Sequence, residues 1–327
     1  MKYEIADCID AGTEFCPCHL AEAGECIICS QLHGKAFCDC LNWKGVCIYK
    51  EYFDNGNKPK SQRKSFLCQI LKKDIIEEDV IIISILVPHK LAKDLLHPGS
   101  YVFLRSPSTT QFYDTPISVM DVDLEENIIK LAIEVRGIKT KIINSINENS
   151  KLMIRGPFWN GVFGLKNIYS AREGVSVIIA KGIGMAPMIP VIKKLYGNGN
   201  KITIFMDKSP YNSIFVEKYL KQYNCEVIPC TLLDKGELTE DFISTLKNFL
   251  DENKVNLIHC DGADIIVLKL IKLLGHGYKM SSSNNTKMCC GEGVCGACTV
   301  RYSGRRVKRL CKYQSEPQNV FEGRRFI

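Results

Sequence analysis

Four cysteines near the carboxyl end constrain this 327-residue chain more than any other feature. Cys290-Gly-Glu-Gly-Val-Cys295-Gly-Ala-Cys298, followed by Cys311, is a C-x4-C-x2-C run with a distal fourth cysteine. That is the spacing of plant-type [2Fe–2S] sites. Three thiolates so close together must wrap an inorganic core, so the backbone between them has to curl tightly. Gly291, Gly293 and Gly296 supply that curl, because glycine adopts positive φ at little steric cost. Structural zinc is the competing reading, but zinc ligands come as short-spaced pairs on two sides, without a glycine-rich curl. Cys289 reads as a neighbour of the set and not as a ligand.

The chain holds 17 cysteines, with eight in the first 47 residues and five between Cys289 and Cys311. The amino terminus, MKYEIADCID, lacks a basic region followed by an apolar stretch, and no apolar run reaches bilayer length. A cytoplasmic protein is therefore expected. Thiols stay reduced there, so clustered cysteines point to metal and not to disulfides. The first cluster reads Cys8, Cys16-Pro-Cys18-His19, Cys26-x2-Cys29, Cys38-Asp-Cys40, Cys47. These eight thiols can form two four-thiolate sites, or one site with spares, and zinc and iron–sulfur both stay open. Residues 1–60 are expected to be a Cys-rich metal-binding module closed by a polar linker at Asp54–Ser61.

Between the clusters, the composition is that of a soluble globular chain with more than one domain, 46% hydrophobic and 24% charged. The runs 66–71, 80–87, 100–105, 116–122 and 128–135 are short and rich in β-branched residues. They predict a small antiparallel barrel. After Gly174 the pattern changes to strands at 175–182, 201–207, 225–230 and 256–262. These alternate with helices at Met185–Tyr196, Ser213–Gln222, Thr239–Leu250 and Ala263–Leu274, which predicts a parallel sheet wrapped by helices. The last fifty residues read as irregular, and no internal repeat is apparent. The expected fold is multidomain: a module at 1–60, a β-barrel at 63–160, an α/β domain at 170–277 and a cluster-binding segment at 280–327. Of the +7 net charge, a basic run at Arg301–Arg325 is the one concentrated part. It reads as a solvated face or an acidic-partner surface; no nucleic-acid motif accompanies it.

Two further motifs point to a dinucleotide. Ala180-Lys-Gly182-Ile-Gly184-Met-Ala-Pro187 follows an apolar strand and opens a helix, the setting in which glycines let a pyrophosphate approach. Asp207 ends the next strand, where an acid can hold a ribose 2′-hydroxyl and so favour NADH over NADPH. A turn residue is the plainer alternative for Asp207, and packing is the plainer one for the glycines.

From about Arg63 onward the chain resembles the ferredoxin–NADP reductase superfamily. Within it, the likeness is to the electron-transfer subunits of two-subunit dihydroorotate dehydrogenase, sulfide dehydrogenase and NADH-dependent ferredoxin:NADP oxidoreductase. The segments that carry it are Pro116-Ile-Ser118-Val, Val135-Arg-Gly137-Ile-Lys-Thr140, Gly156-Pro-Phe-Trp-Asn160-Gly161, Gly182–Pro187, and Met288–Cys298 with Cys311. The resemblance implies FAD in the barrel, at Thr115, Pro116, Ile117, Ser118, Arg136, Gly137 and Thr140. It implies NAD(P)H at Gly182, Gly184 and Asp207, and a [2Fe–2S] cluster on Cys290, Cys295, Cys298 and Cys311. Ser118 beside the flavin and Cys260 beside the nicotinamide are the implied catalytic residues. The implied function is electron transfer between NAD(P)H, FAD and the cluster and a partner, either a catalytic flavoprotein subunit or a ferredoxin-like carrier. Thr115 stands where the family has an arginine, which makes Arg136 the candidate replacement. The family's C-G-P turn appears as Cys260-Asp-Gly262-Ala. The first sixty residues have no counterpart. A stand-alone NAD(P)H:acceptor reductase and a non-catalytic metal-binding scaffold are the alternative readings.

Overall fold

The computed structural model describes residues 7–40, 42–301 and 307–321. The first six residues, and Arg305, Arg306, Arg324 and Arg325 of the basic run, lie outside the described residues. The chain forms two compact units. The smaller combines the residues up to Lys64 with Thr286–Ser315, and the larger combines Ser65–Asn285 with Glu316–Phe321. The two Cys-rich stretches, expected as separate segments, thus belong to one unit.

The larger unit opens with seven antiparallel strands: β1 (Ser65–Glu77), β2 (Val80–Leu86), β3 (Tyr101–Arg105), β4 (Thr115–Ser118), β5 (Asp121–Asp123), β6 (Ile128–Glu134) and β7 (Lys151–Phe158). Their order in the sheet is β4-β3-β7-β1-β2-β6-β5. Alternation decides which face is inside. Ile81, Ile83 and Ile85 of β2, Ile129, Leu131 and Ile133 of β6, and Leu152 and Ile154 of β7 fill one core. Each such side chain contributes about 1.5–3 kcal/mol by leaving water. β7 includes Gly156-Pro157 of the Gly156–Gly161 segment. These residues continue a strand that lies between β3 and β1 at the sheet's centre.

The same unit continues with β8 (Val162–Phe163), β9 (Val175–Lys181), β10 (Lys201–Asp207), β11 (Glu226–Pro229), β12 (Val255–Asp261) and β13 (Met280–Ser283). They line up as β11-β10-β9-β12-β13-β8, parallel except for β8. Helices α1 (Met188–Gly197), α2 (Glu217–Gln222), α3 (Glu240–Glu252) and α4 (Asp264–Leu274) connect them. Thr239 caps α3, its hydroxyl accepting the Phe242 N–H, with Glu240 and Asp241 in the first turn; both features favour a helix start. The helix expected from Met185 is a 3-10 turn at Gly182–Met185 and then α1. β13, three serines after a methionine, lies in a stretch expected to be irregular.

Polar side chains tie the two halves of this unit together. Asp121 on β5 accepts the Tyr219 hydroxyl at 2.6 Å and pairs with Lys193 of α1. Burial works to raise the Asp121 pKa, but Lys193 and Tyr219 more than offset that and lower it. The Tyr211 hydroxyl donates to Glu134 at 3.0 Å, and Glu77 accepts the Asn212 backbone and side-chain N–H, each at 3.0 Å. These contacts tie the barrel to the α/β half.

Among its described residues the smaller unit buries few large apolar side chains, Leu20, Leu32, Ile48, Leu310 and Tyr313 being the main ones. Chain ends are joined instead by a strand pair, Asp7–Cys8 against Tyr313–Gln314, and by buried charge. Arg63 donates to Asp10 at 2.6 and 3.1 Å and to Glu292 at 3.0 Å. Lys312, fully buried, donates to Glu292 at 2.9 Å and pairs with Asp10. Two cations thus meet two anions, which is the condition for burying charge at all. Burial alone would raise the Asp10 carboxyl; Lys312 and Arg63 hold it down at about 2. Among the described residues, no helix is long and apolar enough to cross a membrane.

Candidate electron-transfer site

The carboxy-terminal cysteines converge. Cys290 Sγ accepts the backbone N–H groups of Glu292 at 3.3 Å and Cys295 at 3.5 Å. Cys295 Sγ accepts the Ala297 N–H at 3.5 Å, and Cys298 Sγ accepts that of Cys311 at 3.4 Å. Such bonds favour thiolates, the form that binds metal. A hydrogen bond from Cys311 is the main cause that lowers the Cys290 thiol to about 4 and the Cys298 thiol to about 7. Gly291, Gly293 and Gly296 have φ of 70°, 77° and 73°, the curl the spacing demands. Cys298 and Cys311 are buried, whereas Cys295 and the neighbouring Val294 are exposed. Cys289 is exposed beside the set. Of the basic run that follows, Lys312 is buried and Arg309 pairs with Glu25, so its described part is not one uniform charged face.

On the barrel, Thr115–Ser118 form β4, with Pro116 exposed and Thr115, Ile117 and Ser118 half-buried. The Thr115 hydroxyl donates to the Tyr113 carbonyl at 3.0 Å. Arg136 is exposed and pairs with Glu134 at 2.6 Å, while the Arg136 and Gly137 N–H groups donate to Thr140 Oγ1. Three other cations gather at the start of β4. Arg105 and Arg155 both donate to the Asp114 carboxylate, at 2.9 and 3.0 Å, and Lys139 donates to the Asp114 carbonyl at 2.9 Å. Three positive charges against one carboxylate leave this corner electropositive. Sequence reasoning missed Lys139 because the flavin motif itself drew attention to Arg136. A helix at Ile138–Asn144 carries Lys139 back over the strand.

In the α/β half, Lys181, Gly182, Asp207, Cys260 and Asp261 gather at the carboxyl ends of β9, β10 and β12, where ligands of parallel sheets bind. A Cβ on Gly184 would lie 2.2 Å from the Asp261 carbonyl oxygen, so this glycine lets two protein turns touch. Gly184→Ala is expected to cost about 1–3 kcal/mol through overpacking, read as a lower urea midpoint; an unchanged midpoint would show that the turns separate freely. Gly182 has φ of 57° and faces the Ser209 carbonyl. Asp207 is buried. Its carboxylate accepts the backbone N–H groups of Ser209 at 3.0 Å and Leu232 at 2.9 Å and the Ser209 hydroxyl at 2.6 Å, and it pairs with Lys181. Burial pushes its pKa up, but Lys181 and Ser209 outweigh this and lower it. That is the bonding of a turn residue. Cys260 is fully buried, and burial raises its thiol. Asp261 is also fully buried; Oδ2 bonds His259 Nε2 at 2.7 Å, whereas Oδ1 has no hydrogen-bond partner. An unpaired buried carboxylate oxygen beside the glycine turn is an acceptor suited to an amide N–H.

Comparison with known proteins agrees with these features. No protein-family model matches the chain. It is 28% identical over 225 residues to the dihydroorotate dehydrogenase B (NAD(+)) electron transfer subunit of Clostridium acetobutylicum, covering 66% of this chain and 82% of that one. The Streptococcus mutans subunit of the same name is 26% identical over 211 residues, 64% of this chain and 79% of that one. A structure of NADH-dependent reduced ferredoxin–NADP oxidoreductase superposes with a TM-score of 0.60 at 23% identity, over 77% of this chain and 87% of that one. A single-residue mutant of ferredoxin–NADP+ reductase from Plasmodium falciparum gives 0.51 at 16% identity, over 67% and 96%. The fold is that of ferredoxin–NADP reductases, and the sequence is similar to dihydroorotate dehydrogenase B electron-transfer subunits.

Proposed function

We propose that the chain is an electron-transfer subunit that moves electrons between NAD(P)H, FAD and a [2Fe–2S] cluster, to or from a partner oxidoreductase. The convergence of Cys290, Cys295, Cys298 and Cys311 under four N–H···S bonds carries this reading. It occurs in a chain whose other unit has the fold of flavin reductases. FAD, when bound, joins two-electron nicotinamide chemistry to one-electron carriers. The residues of β4 and the electropositive corner of Arg105, Lys139 and Arg155 fit an anionic cofactor. Lys139, and not Arg136, takes the place of the arginine absent at Thr115. Ser118, half-buried on β4, is the candidate donor beside the flavin. In the α/β half, the Lys181–Gly182 turn would hold the pyrophosphate. Cys260 contributes a buried apolar wall, its raised thiol staying protonated.

NADH is the proposed donor, on the strength of the NAD(+) in the relatives' name. Asp207 adds little to that choice, because Lys181 offsets its charge against a 2′-phosphate. The exposed Cys295 and Val294 mark the edge at which the partner, a catalytic flavoprotein subunit or a ferredoxin-like carrier, takes over the electron. A cytoplasmic setting, which keeps 17 thiols reduced, belongs to the same proposal.

Anaerobic purification tests the reading directly. Flavin absorption, bleached by NADH, and an EPR signal after dithionite reduction are expected. A colourless, EPR-silent but folded protein would overturn it. Asp207→Asn is expected to change the NADH-to-NADPH preference by less than about tenfold, which is 1.4 kcal/mol; a larger shift would show that Asp207 reads the ribose.

A further inference from the structure

Of the eight cysteines in the first 47 residues, the structure brings four to one place. Cys8, Cys16, Cys18 and Cys26 line a single small cavity in the smaller unit, walled by the apolar side chains of Leu20, Ala21, Ile28 and Ile48. All four are free thiols, half-buried. Asp10 also borders the cavity, but its carboxylate is already engaged by Arg63 and Lys312. The sulfurs are therefore the donors that the cavity offers.

Packing alone is the plainer reading, since a free thiol behaves as a small apolar group. The backbone around these sulfurs argues against it. The Cys29 N–H donates to Cys26 Sγ at 3.4 Å. The Ile28 N–H acts on the same sulfur, the Asp10 N–H on that of Cys8 and the Gly12 N–H on that of Cys16, each favouring thiolate over thiol. N–H groups turned toward sulfur also mark the Cys290–Cys311 set. Lys312, fully buried, places a positive charge near Cys8 and Cys18. Its ammonium is shared with Asp10 and Glu292, so it cannot neutralise four thiolates. Buried charge persists only where it is paired or coordinates a metal, and the thiolate is the form of cysteine that does so. Among the described residues, no three candidate ligands stand closed around one ion, here or in the Cys290–Cys311 set. What singles out the quartet is the shared cavity and the donors aimed at its sulfurs.

We propose that Cys8, Cys16, Cys18 and Cys26 are the ligands of one thiolate-bound metal centre. Zinc and iron–sulfur are the two occupants that four thiolates select. The centre borders the carboxy-terminal set. Cys8 is paired in register with Tyr313, and the Ile9 N–H donates to the Lys312 carbonyl at 2.9 Å, one residue beyond Cys311. Leu20, a wall of the cavity, lies 3.0 Å from where a Cβ on Gly293 would stand. One side chain thus touches both the cavity and the loop that carries Cys290 and Cys295. Metal also answers the shortage of apolar core in this unit, because short Cys-rich segments are held together by such centres. The site does not rest on the function proposed above.

The test is zinc, iron and labile-sulfide analysis of the full chain purified anaerobically, beside Cys18→Ser, Cys26→Ser and the double variant. The unmodified protein is expected to carry metal beyond the about two irons of a [2Fe–2S] cluster. Each single variant is expected to lose that metal, and the double variant to lose no more, with far-UV circular dichroism and the [2Fe–2S] EPR signal unchanged. Loss of about one zinc without sulfide identifies a single ion, and loss of iron together with sulfide identifies a cluster; both uphold the site. About two irons and no zinc in the unmodified protein would overturn it. So would unchanged metal in either single variant, or losses that add in the double variant. Should the variants fail to fold, alkylation of the unmodified protein decides. Cys8, Cys16, Cys18 and Cys26 are expected to react with iodoacetamide only once a chelator is added, whereas the exposed Cys289 reacts without it. Equal reaction with and without the chelator would show that burial alone protects them, and the site falls. If flavin and the [2Fe–2S] signal are missing while this metal remains, the proposed function falls and the site stands.

Discussion

Replacing Cys295 with serine is expected to abolish the [2Fe–2S] EPR signal and to slow electron delivery to a one-electron acceptor by about a hundredfold or more, since even changes outside the ligands cost 10–100-fold at metal sites. Reduction of the flavin by NADH, measured in the same preparation by stopped-flow absorption, is expected to stay within about twofold, because that exchange needs no one-electron carrier. The exposed Cys295 can be changed with little effect on packing, unlike Cys298 and Cys311, which are buried. Cys289→Ser is the matched control: an exposed cysteine one residue from the set, with no place in it. If Cys295→Ser leaves acceptor reduction at full rate, electrons leave the flavin by another route and the assignment of this edge is wrong.

The second large effect is structural. Lys312→Met leaves Asp10 and Glu292 buried with Arg63 as their one remaining cation from this group, and breaking a buried ionic set in this way costs about 3–5 kcal/mol. The loss is expected in the smaller unit, read as a lower urea midpoint for release of its iron, while the flavin transition of the larger unit stays in place. Adding Asp10→Asn to Lys312→Met restores one cation to one anion. The double variant is therefore expected to cost less than the two single changes added together, by about 1–3 kcal/mol of coupling. Strict additivity would mean that the four side chains do not act as one set.

Local rules made much of this legible in the sequence. Positive φ at Gly291, Gly293 and Gly296 follows from the need to wrap three close thiols. The parallel strands at 175–181 and 201–207 follow from largely apolar runs between turns. What escaped was set by distance or by mixed signals. Gly156-Pro157 carries two breakers, yet it extends β7, because β3 runs alongside it and pairs again at Tyr101 and Phe158. Met280–Ser283 has no apolar alternation, and its burial came from its place between two strands of the sheet. Lys139 was overlooked since its role depends on a helix bringing it back to Asp114. Asp207 had two readings by residue type, and only its four contacts with Ser209, Leu232 and Lys181 show the turn bonding. The ionic set could not be read at all: Lys312 and Asp10 are 302 residues apart, and Arg63 and Glu292 are 229 apart.

That separation also sets a timetable for biosynthesis. The smaller unit takes its first part from the start of the chain and its second from beyond Asn285, and it needs Glu292, Lys312 and the Tyr313–Gln314 strand to close. At about 5–20 residues per second, the roughly 220 residues of Ser65–Asn285 occupy the ribosome for about 10–45 s before those partners emerge. Throughout that interval Asp10 and Arg63 lack half of their counter-charges and Cys8 lacks its strand neighbour. The larger unit has by then been synthesised apart from Glu316–Phe321. Assembly of this protein therefore runs inward from both ends, with the flavin fold formed first and the first thiols made among the last to reach their final surroundings.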